Sequence, residues 1–304
     1  MESGSISRAA TSLYVAQPAL SVQIAELEQE IGLPLLHRSA RGVKATPAGE
    51  AFYHEARNVL RLFDRMPEVV RATQMDIAGP VTLGMSSTLG SLIGGPFIKA
   101  CKVALPQVAL SFVSEDSLSL QARIEQGTLN LAVLFEAEPA SGLSRMELFE
   151  QELFLLHTDK SLAGRARISI LEAARHPLIL PAQPNVVRRL LDKAFAAIGA
   201  TPIVVAEIRD FSSGFAAVRA GVGAIIAPIG ILEALPGSDD IIATLLSDGP
   251  TLTASIVSAR EVALSRAAEA VRAQMSPFIS RYIKEKQPPG LKPLPSVRAI
   301  GADE

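Results

Sequence analysis

The chain has 304 residues, 48% of them apolar, with 29 Lys and Arg against 31 Asp and Glu. That length points to more than one domain, and a net charge near zero excludes a global attraction to nucleic acid, so any such surface must be local. One cysteine, Cys101, excludes an internal disulfide and a cysteine-built zinc site and fits a reducing cytoplasm. The opening "MESGSISRAA" lacks the apolar segment of a signal peptide. No apolar run approaches the roughly 20 residues needed to span a bilayer, so a soluble cytoplasmic protein with no membrane partner is expected. Trp is absent, so the cores must be aliphatic.

Residues 5–32 read as helix, turn, helix. Ser5 suits an N-cap, with Ile6, Ala9, Ala10 and Leu13 facing inward. Tyr14, Val15 and Ala16 make the turn. In the second helix Leu20, Ile24, Leu27 and Ile31 share one face, Pro18 is tolerable in the first turn, and Gly32 closes the helix. Residues 35–46 suit a hairpin turning near Ala40, Arg41 and Gly42. Its basic residues His37, Arg38, Arg41 and Lys44 suit a phosphate grip, or alternatively an ordinary solvated turn.

Thr46-Pro47 then opens a helix to about residue 76, about 45 Å long at roughly 1.5 Å per residue. Along it Phe52, Ala56, Val59, Phe63, Met66 and Val70 alternate spacings of four and three, a heptad seam. The seam predicts dimerisation; a core helix of the same chain is the plainer alternative. Pro67 is expected to kink this helix or end it early.

From Gly79-Pro80 onward strands and helices alternate. Near-continuous apolar strands at 81–85, 108–113, 131–135, 153–157, 224–228 and 251–257 predict parallel sheets covered on both faces. The expected class is α+β multidomain: at about 200 residues the alternating part makes two α/β lobes, after a head over 1–46 and a long helix over 47–79. A disordered tail is expected over 286–304, where Pro and charge recur without period.

"GMSSTLG", Gly84 to Gly90, follows a strand and opens a helix. Its free backbone N–H groups and the hydroxyls of Ser86, Ser87 and Thr88 make an anion site, with plain helix capping as the alternative. Leu134, Phe135, Asn185, Phe211, Ser212 and Pro228 fall at comparable strand ends or helix starts, where open α/β sheets bind ligands. No catalytic set stands out. His37, His54, His157 and His176 share no metal spacing, no nucleophile elbow or P-loop is present, and Glu115-Asp116 reads as a helix cap. No enzyme activity, metal or cofactor is expected.

The run "SISRAATSLYVAQPALSVQIAELEQEIGLPLLHRSARGVKATPAGE" resembles the winged helix-turn-helix of LysR-type transcriptional regulators. Its AA pair, Q-P-A-L-S opening, L-E-x-E-I-G segment and final T-P-A-G carry the likeness. The long helix and the stretches "VTLGMSSTLGSLIGGPF", "ALPQVALSFVSEDS" and "GTLNLAVLF" fit the rest of that family's layout, which implies a winged helix-turn-helix head, a linker helix and a two-lobed α/β domain of periplasmic-binding-protein type, with lobe I over 80–157 and 258–285 and lobe II over 158–257. Within the family the likeness is strongest to the nitrogen assimilation control group. The family's pattern also has a helix ahead of Ser5. Met1-Glu2-Ser3-Gly4 stand in its place, so a head short of one packing partner is expected.

The resemblance implies a sequence-specific DNA-binding regulator, a homodimer or homotetramer, controlled by a small effector held between the lobes with Ser86 to Thr88 as one wall. A recognition helix meets base edges with its N-terminal residues. Gln17, Ser21 and Gln23 are therefore the expected base readers, since Gln pairs with adenine through two hydrogen bonds. Pro18 and Ala19 would pack on sugar or thymine methyl. Val22 departs from the polar residue often found there. Glu26 and Glu28 would repel phosphate, so only the N-terminal end should enter the groove. A two-fold dimer would read an operator of inverted half-sites in double-stranded DNA. The helix-start argument predicts an anionic effector. The alternative is a solute-binding module whose head is degenerate and does not bind DNA.

Overall fold

The computed structural model describes residues 3–39, 42–71, 77–136, 142–234 and 240–294. It divides into two compact units, Met1–Pro67 and Glu68–Glu304.

In the first unit α1 (Ile6–Ser12) starts at Ser5, whose hydroxyl accepts from the Arg8 amide. The turn follows at 13–16, with Leu13 exposed rather than turned inward as its spacing implies. Helix α2 (Gln17–Ile31) ends on Gly32 in the left-handed conformation, where a side chain would be strained. Strands β1 (Leu36–Ser39) and β2 (Gly42–Ala45) form the antiparallel hairpin. Thr46 then caps α3 (Pro47–Arg71), its hydroxyl accepting from the Gly49 amide at 2.9 Å. Helix α3 runs on through Pro67 to Arg71, against the expectation that Pro67 would stop it. Residues 72–76 of the expected helix lie outside the described residues.

The second unit begins with β3 (Gly79–Ser86). A helical run follows: α4 (Ser87–Leu89), a π-helical turn Gly90–Gly94 and α5 (Gly95–Ala104). Next come β4 (Val108–Glu115), α6 (Ser117–Glu125), β5 (Leu131–Glu136), β6 (Leu143–Gln151), β7 (Phe154–His157) and β8 (Arg167–Ile168). The chain continues with α7 (Ile170–Ala173), β9 (Pro177–Pro181), α8 (Val186–Ala197), β10 (Ile203–Ile208), α9 (Phe211–Arg219) and β11 (Ala224–Ala227). It closes with β12 (Ile242–Leu246), β13 (Leu252–Ala259), α10 (Arg266–Lys286) and β14 (Leu291–Pro293).

Two six-stranded sheets result, ordered β14-β6-β13-β5-β3-β4 in lobe I and β10-β9-β11-β7-β12-β8 in lobe II. They are mixed rather than parallel. β3 pairs parallel with β4 and β5, and β9 with β10 and β11. β13 and β6, and likewise β7, pair antiparallel with their neighbours. The reason is that the chain passes between lobes twice, once from β6 to β7 and once from β12 to β13. A strand returning from the other lobe can lie antiparallel without a crossover helix.

These passes also move the expected lobe boundaries. Phe154–His157 belongs to lobe II, not to 80–157, and Leu252–Val257 to lobe I, not to 158–257. Both strands are apolar and buried in either sheet, so periodicity carries no sign of which sheet takes them. Part of the expected disordered tail is also ordered. β14 pairs with β6 and buries Leu291, covering a sheet edge that would otherwise stand open. Residues 295–304 lie outside the described residues. Both sheets bury aliphatic residues on their helix-facing sides, with Phe97, Phe149, Phe195 and Phe215 among the largest fully buried side chains.

Candidate nucleic-acid interface and effector cleft

At the start of α2, Gln17, Pro18, Ala19, Val22 and Gln23 are exposed, while Leu20, Ser21, Ile24, Leu27 and Ile31 are half-buried. The exposed side continues through Ala25, Glu26, Gln29 and Glu30, so it runs the whole length of α2. Pro18 lies in the first turn, where no intrahelical donor is lost. Glu28 has a role that charge alone does not reveal. Its carboxylate accepts from the amides of Leu35 (2.7 Å) and Leu36 (2.9 Å), tying α2 to the start of β1. The other tie is a close approach. A Cβ on Gly49 would lie 2.0 Å from the Leu35 carbonyl oxygen, so α3 can meet the hairpin only through a glycine.

The hairpin register pairs His37 with Lys44 and Arg38 with Val43. Paired residues share a face and successive residues alternate. The expected basic cluster is therefore split, with His37 and Lys44 on one face and Arg38 on the other, all three exposed. Arg41 lies outside the described residues. On α3, Val59, Phe63 and Met66 are exposed and Phe52 and Ala56 half-buried. Leu60, which the heptad reading did not include, is exposed beside them. The Val70 side chain lies outside the described residues.

Between the two lobes of the second unit lies a cavity of about 480 Å³. Ser86, Ser87, Thr88 and Phe135 line it from lobe I, and Asn185, Phe211 and Ser212 from lobe II. Leu134 and Pro228 do not. Leu134 follows the strand alternation to the opposite face of β5, where it packs with Leu120, Ile124 and Leu143. Pro228 is buried where the chain leaves β11 for the turn Ile229–Ala234. There Gly230 backs so closely on Leu92 that an added Cβ would sit 3.0 Å from its side chain.

Four helix starts converge on this cavity, and their caps differ. Asp116 caps α6, accepting from the amides of Leu118 (3.1 Å) and Ser119 (3.0 Å). Asp210 caps α9, accepting from the Ser213 amide (2.8 Å) and hydroxyl (2.9 Å). Asn185 caps α8 through its side-chain oxygen, at 2.9 Å from the Val187 amide and 3.2 Å from that of Arg188. Ser86 precedes α4 without a side-chain cap; it is 5% exposed, and its Oγ is buried with no hydrogen-bond partner. Partial burial works to raise the Asp116 carboxyl, but hydrogen bonds from the Ser119 hydroxyl and the Ser119 and Leu118 amides outweigh it and hold the group below its ordinary value. The Ser213 amide and hydroxyl hold Asp210 down in the same way. Both are carboxylates at neutral pH.

Sequence reasoning missed Ser91, Asp116, Ser117, Leu118, Val186, Val187, Arg209 and Asp210 as lining residues. The available signal was the strand-then-Asp-then-helix order at Asp116 and Asp210, which marks a cap and, in this fold, a cleft wall. Among the described residues no group of three or more His, Cys, Asp or Glu side chains is placed to hold a metal ion. No described helix is long and apolar enough to cross a membrane.

Comparisons with known proteins agree with this architecture. The family model "Bacterial regulatory helix-turn-helix protein, lysR family" matches residues 1–50, and "LysR substrate binding domain" matches 76–277. The nitrogen assimilation regulatory protein nac of Escherichia coli is 29% identical over 286 residues, 93% of each chain. That of Klebsiella aerogenes is 30% identical over 280 residues, 91% of each. Among solved structures, a full-length OxyR variant from Pseudomonas aeruginosa superposes with a TM-score of 0.70 at 21% identity, covering 90% of this chain and 89% of that one.

Proposed function

The chain belongs to the LysR family of bacterial helix-turn-helix regulators, and from that premise we propose that the N-terminal end of α2 reads operator DNA while a small molecule bearing an anionic group binds between the lobes. As a family member it is a DNA-binding transcriptional regulator with an effector-binding domain, not an enzyme. The cytoplasm, where its DNA is, is its place of action.

The observation that carries the DNA reading is the sidedness of α2. Gln17 and Gln23 are exposed with Pro18, Ala19 and Val22, while Leu20, Ile24, Leu27 and Ile31 are half-buried. Gln17, Ser21 and Gln23 contact base edges; Pro18, Ala19 and Val22 make apolar contacts with sugar or thymine methyl. Arg38, Arg41 and Lys44 grip phosphate beside them. The hairpin's two-faced charge suits a wing that enters a groove between two strands better than a flat patch. Phe52, Ala56, Val59, Phe63, Met66 and Val70 form the seam of a homodimer, which places two reading heads on inverted half-sites; pairs of dimers give the tetramer.

In the cleft, Ser86, Ser87 and Thr88 face Asn185, Phe211 and Ser212 across about 480 Å³, a size suited to a small metabolite. Phe135 supplies an apolar floor. A ligand touching both lobes stabilises one lobe arrangement over others, and only such differential affinity can shift the DNA-bound state. The test is a gel shift of the full chain on the intergenic DNA next to its own gene. A specific shift that Gln17→Ala weakens is expected. Binding no tighter than to scrambled DNA at moderate salt overturns the assignment and favours a solute-binding module with an inactive head.

A further inference from the structure

The cleft carries more information than an anion preference, because its four helix starts are not electrostatically alike. A helix start bears a partial positive charge, which a nearby anion offsets. At α6 and α9 the protein supplies that anion itself, through Asp116 and Asp210. At α8 the cap is the neutral Asn185. At α4 no side chain caps the helix, and the Ser86 hydroxyl beside it is buried and unpartnered. The short α4 is not an isolated turn. Gly90, Gly94 and Gly95 all keep right-handed helical dihedrals, so the helical run continues from Ser87 through the π turn to Ala104. The start of α4 thus lacks an anion, and a buried polar group without a partner is costly.

The helix starts beside it have the opposite need: Ser86 pairs with Glu115 across β3 and β4, so Asp116 adjoins the start of α4, and Asp210 lines the cavity from lobe II. The charged side chains lining the cavity are Asp116, Asp210 and Arg209. Two carboxylates against one exposed guanidinium leave the lining net negative. The carboxylates come one from each lobe, so bringing the lobes together around a purely anionic ligand would add like charge to like. A ligand that also carries a cation removes that penalty and gives both lobes something to hold.

Resting on the reading that a small molecule binds this cleft, we propose that the ligand is an amino-acid-type zwitterion. Its carboxylate sits against Ser86–Thr88 and its protonated amine faces Asp116 and Asp210. The anion accepts from the Ser86 hydroxyl and from the uncapped amides that open α4. The ammonium donates to carboxylate lone pairs left over from capping. Charge-assisted hydrogen bonds of both signs then span the cleft.

The experiment is calorimetric titration of the full chain with the proteinogenic α-amino acids, their N-acetyl derivatives and their decarboxylated amines. N-acetylation removes the positive charge and decarboxylation the negative one. The variants are Asp116→Asn and Asp210→Asn, which keep the caps because Asn caps a helix about as well as Asp, and Ser86→Ala. At least one amino acid should bind, with its acetylated and decarboxylated forms weaker by on the order of tenfold or more. Each Asp→Asn variant should lose about the same factor for the amino acid and nothing for the acetylated form. If N-acetyl carboxylates bind as tightly as the free amino acids, or if both Asp→Asn variants bind unchanged, the zwitterion is wrong and the anion-binding cleft stands. If no amino acid binds, the zwitterion is wrong as well. If carboxylates of any kind bind with no dependence on Ser86, the cleft reading itself falls.

Discussion

The DNA-reading head and the effector region are held by different means. Among the described residues of the head, Ala10, Leu35, Thr46 and Gly49 are the buried ones, and α2 buries none completely. Its geometry rests on directed contacts. The Glu28 carboxylate binds two amides, the Thr46 hydroxyl donates to the Pro34 carbonyl at 2.7 Å while accepting from Gly49, and backbone meets backbone at Gly49. The effector region instead fills volume, with buried aliphatic and Phe side chains on the inner faces of both sheets. A head built on few ties is sensitive to single atoms at those ties. A region built on volume is sensitive to side-chain size and forgiving of small shifts.

Adding one carbon to a glycine in each region sharpens this contrast most. Gly49→Ala drives a Cβ into a carbonyl oxygen of another segment, and backbone cannot step aside. The expected cost is more than about 3 kcal/mol, from the upper end of overpacking effects. Gly84→Ala places its Cβ 2.5 Å from a methyl of Leu120 and 2.9 Å from one of Leu129, both ends of flexible side chains. Its expected cost is about 1–2 kcal/mol. Circular-dichroism melts and gel shifts of the two variants separate them. Gly49→Ala should abolish DNA binding while the main thermal transition stays in place. Gly84→Ala should lower that transition and leave DNA binding at low temperature intact. Equal effects on both readouts would dissolve the distinction between the regions.

What was legible in the sequence follows the same division. The head was readable nearly element by element because its signals are local: Ser5 and Thr46 as caps, Gly32 as a left-handed stop, Thr46-Pro47 as a helix opening. Its ties were not. Glu28 looks like a surface carboxylate until the chain seven residues on is known to return to it. In the effector region the strands over 81–85, 108–113 and 131–135 were readable. Their assignment to sheets was not, because β7 and β13 are apolar in either lobe and only the long-range pairing decides. The cleft walls divided similarly. Ser86 to Thr88 announce themselves as hydroxyls after a strand, and Asn185, Phe211 and Ser212 as residues at a helix start. Leu134 failed because the strand's alternation sends it and Phe135 to opposite faces. Asp116 was recognised as a cap, but capping and lining are the same position here.

The proposed seam on α3 offers the next largest effect. Phe63 is 65% exposed in the isolated chain, with Val59, Leu60 and Met66 exposed along the same helix. Burying one Phe is worth about 1.5–3 kcal/mol, and a two-fold interface buries it twice. Phe63→Lys should therefore weaken dimerisation by on the order of a hundredfold or more. Light scattering coupled to size exclusion should show monomer where the unaltered chain is dimeric, with the effector region's melt unchanged. A dimer that survives both Phe63→Lys and Met66→Lys places the contact elsewhere. On the head, Gln17→Ala should cost about 1–3 kcal/mol on operator DNA and little on non-specific DNA, as a base contact does. Arg38→Ala should weaken both alike and lower the salt slope by about 1, as a phosphate contact does. If the two variants behave identically, α2 is not the reading helix.

The smallest effects expected are those of pH, and they set one lobe against the other. Cys101 in lobe I is buried, and burial pushes its thiol up to about 11. The unfolded chain releases that proton near the ordinary thiol value while the folded chain keeps it. Stability is therefore whole below about pH 9 and drains away as pH rises toward 11. His157 in lobe II shifts in the opposite direction. Burial holds its imidazole below the ordinary value despite Asp159, and its Nε2 lies 3.1 Å from the Thr244 hydroxyl. The unfolded chain takes up a proton near pH 6.5 that the folded chain refuses, so lobe II loses stability as pH falls through that value. Urea midpoints of the effector region should decline on both sides of neutrality. Cys101→Ala should remove the alkaline limb only, and His157→Gln should flatten the acid limb only. Because Cys101 lies on α5 of lobe I and His157 on β7 of lobe II, neither substitution should move the other's limb; a crossed effect would mean that the two groups are energetically coupled.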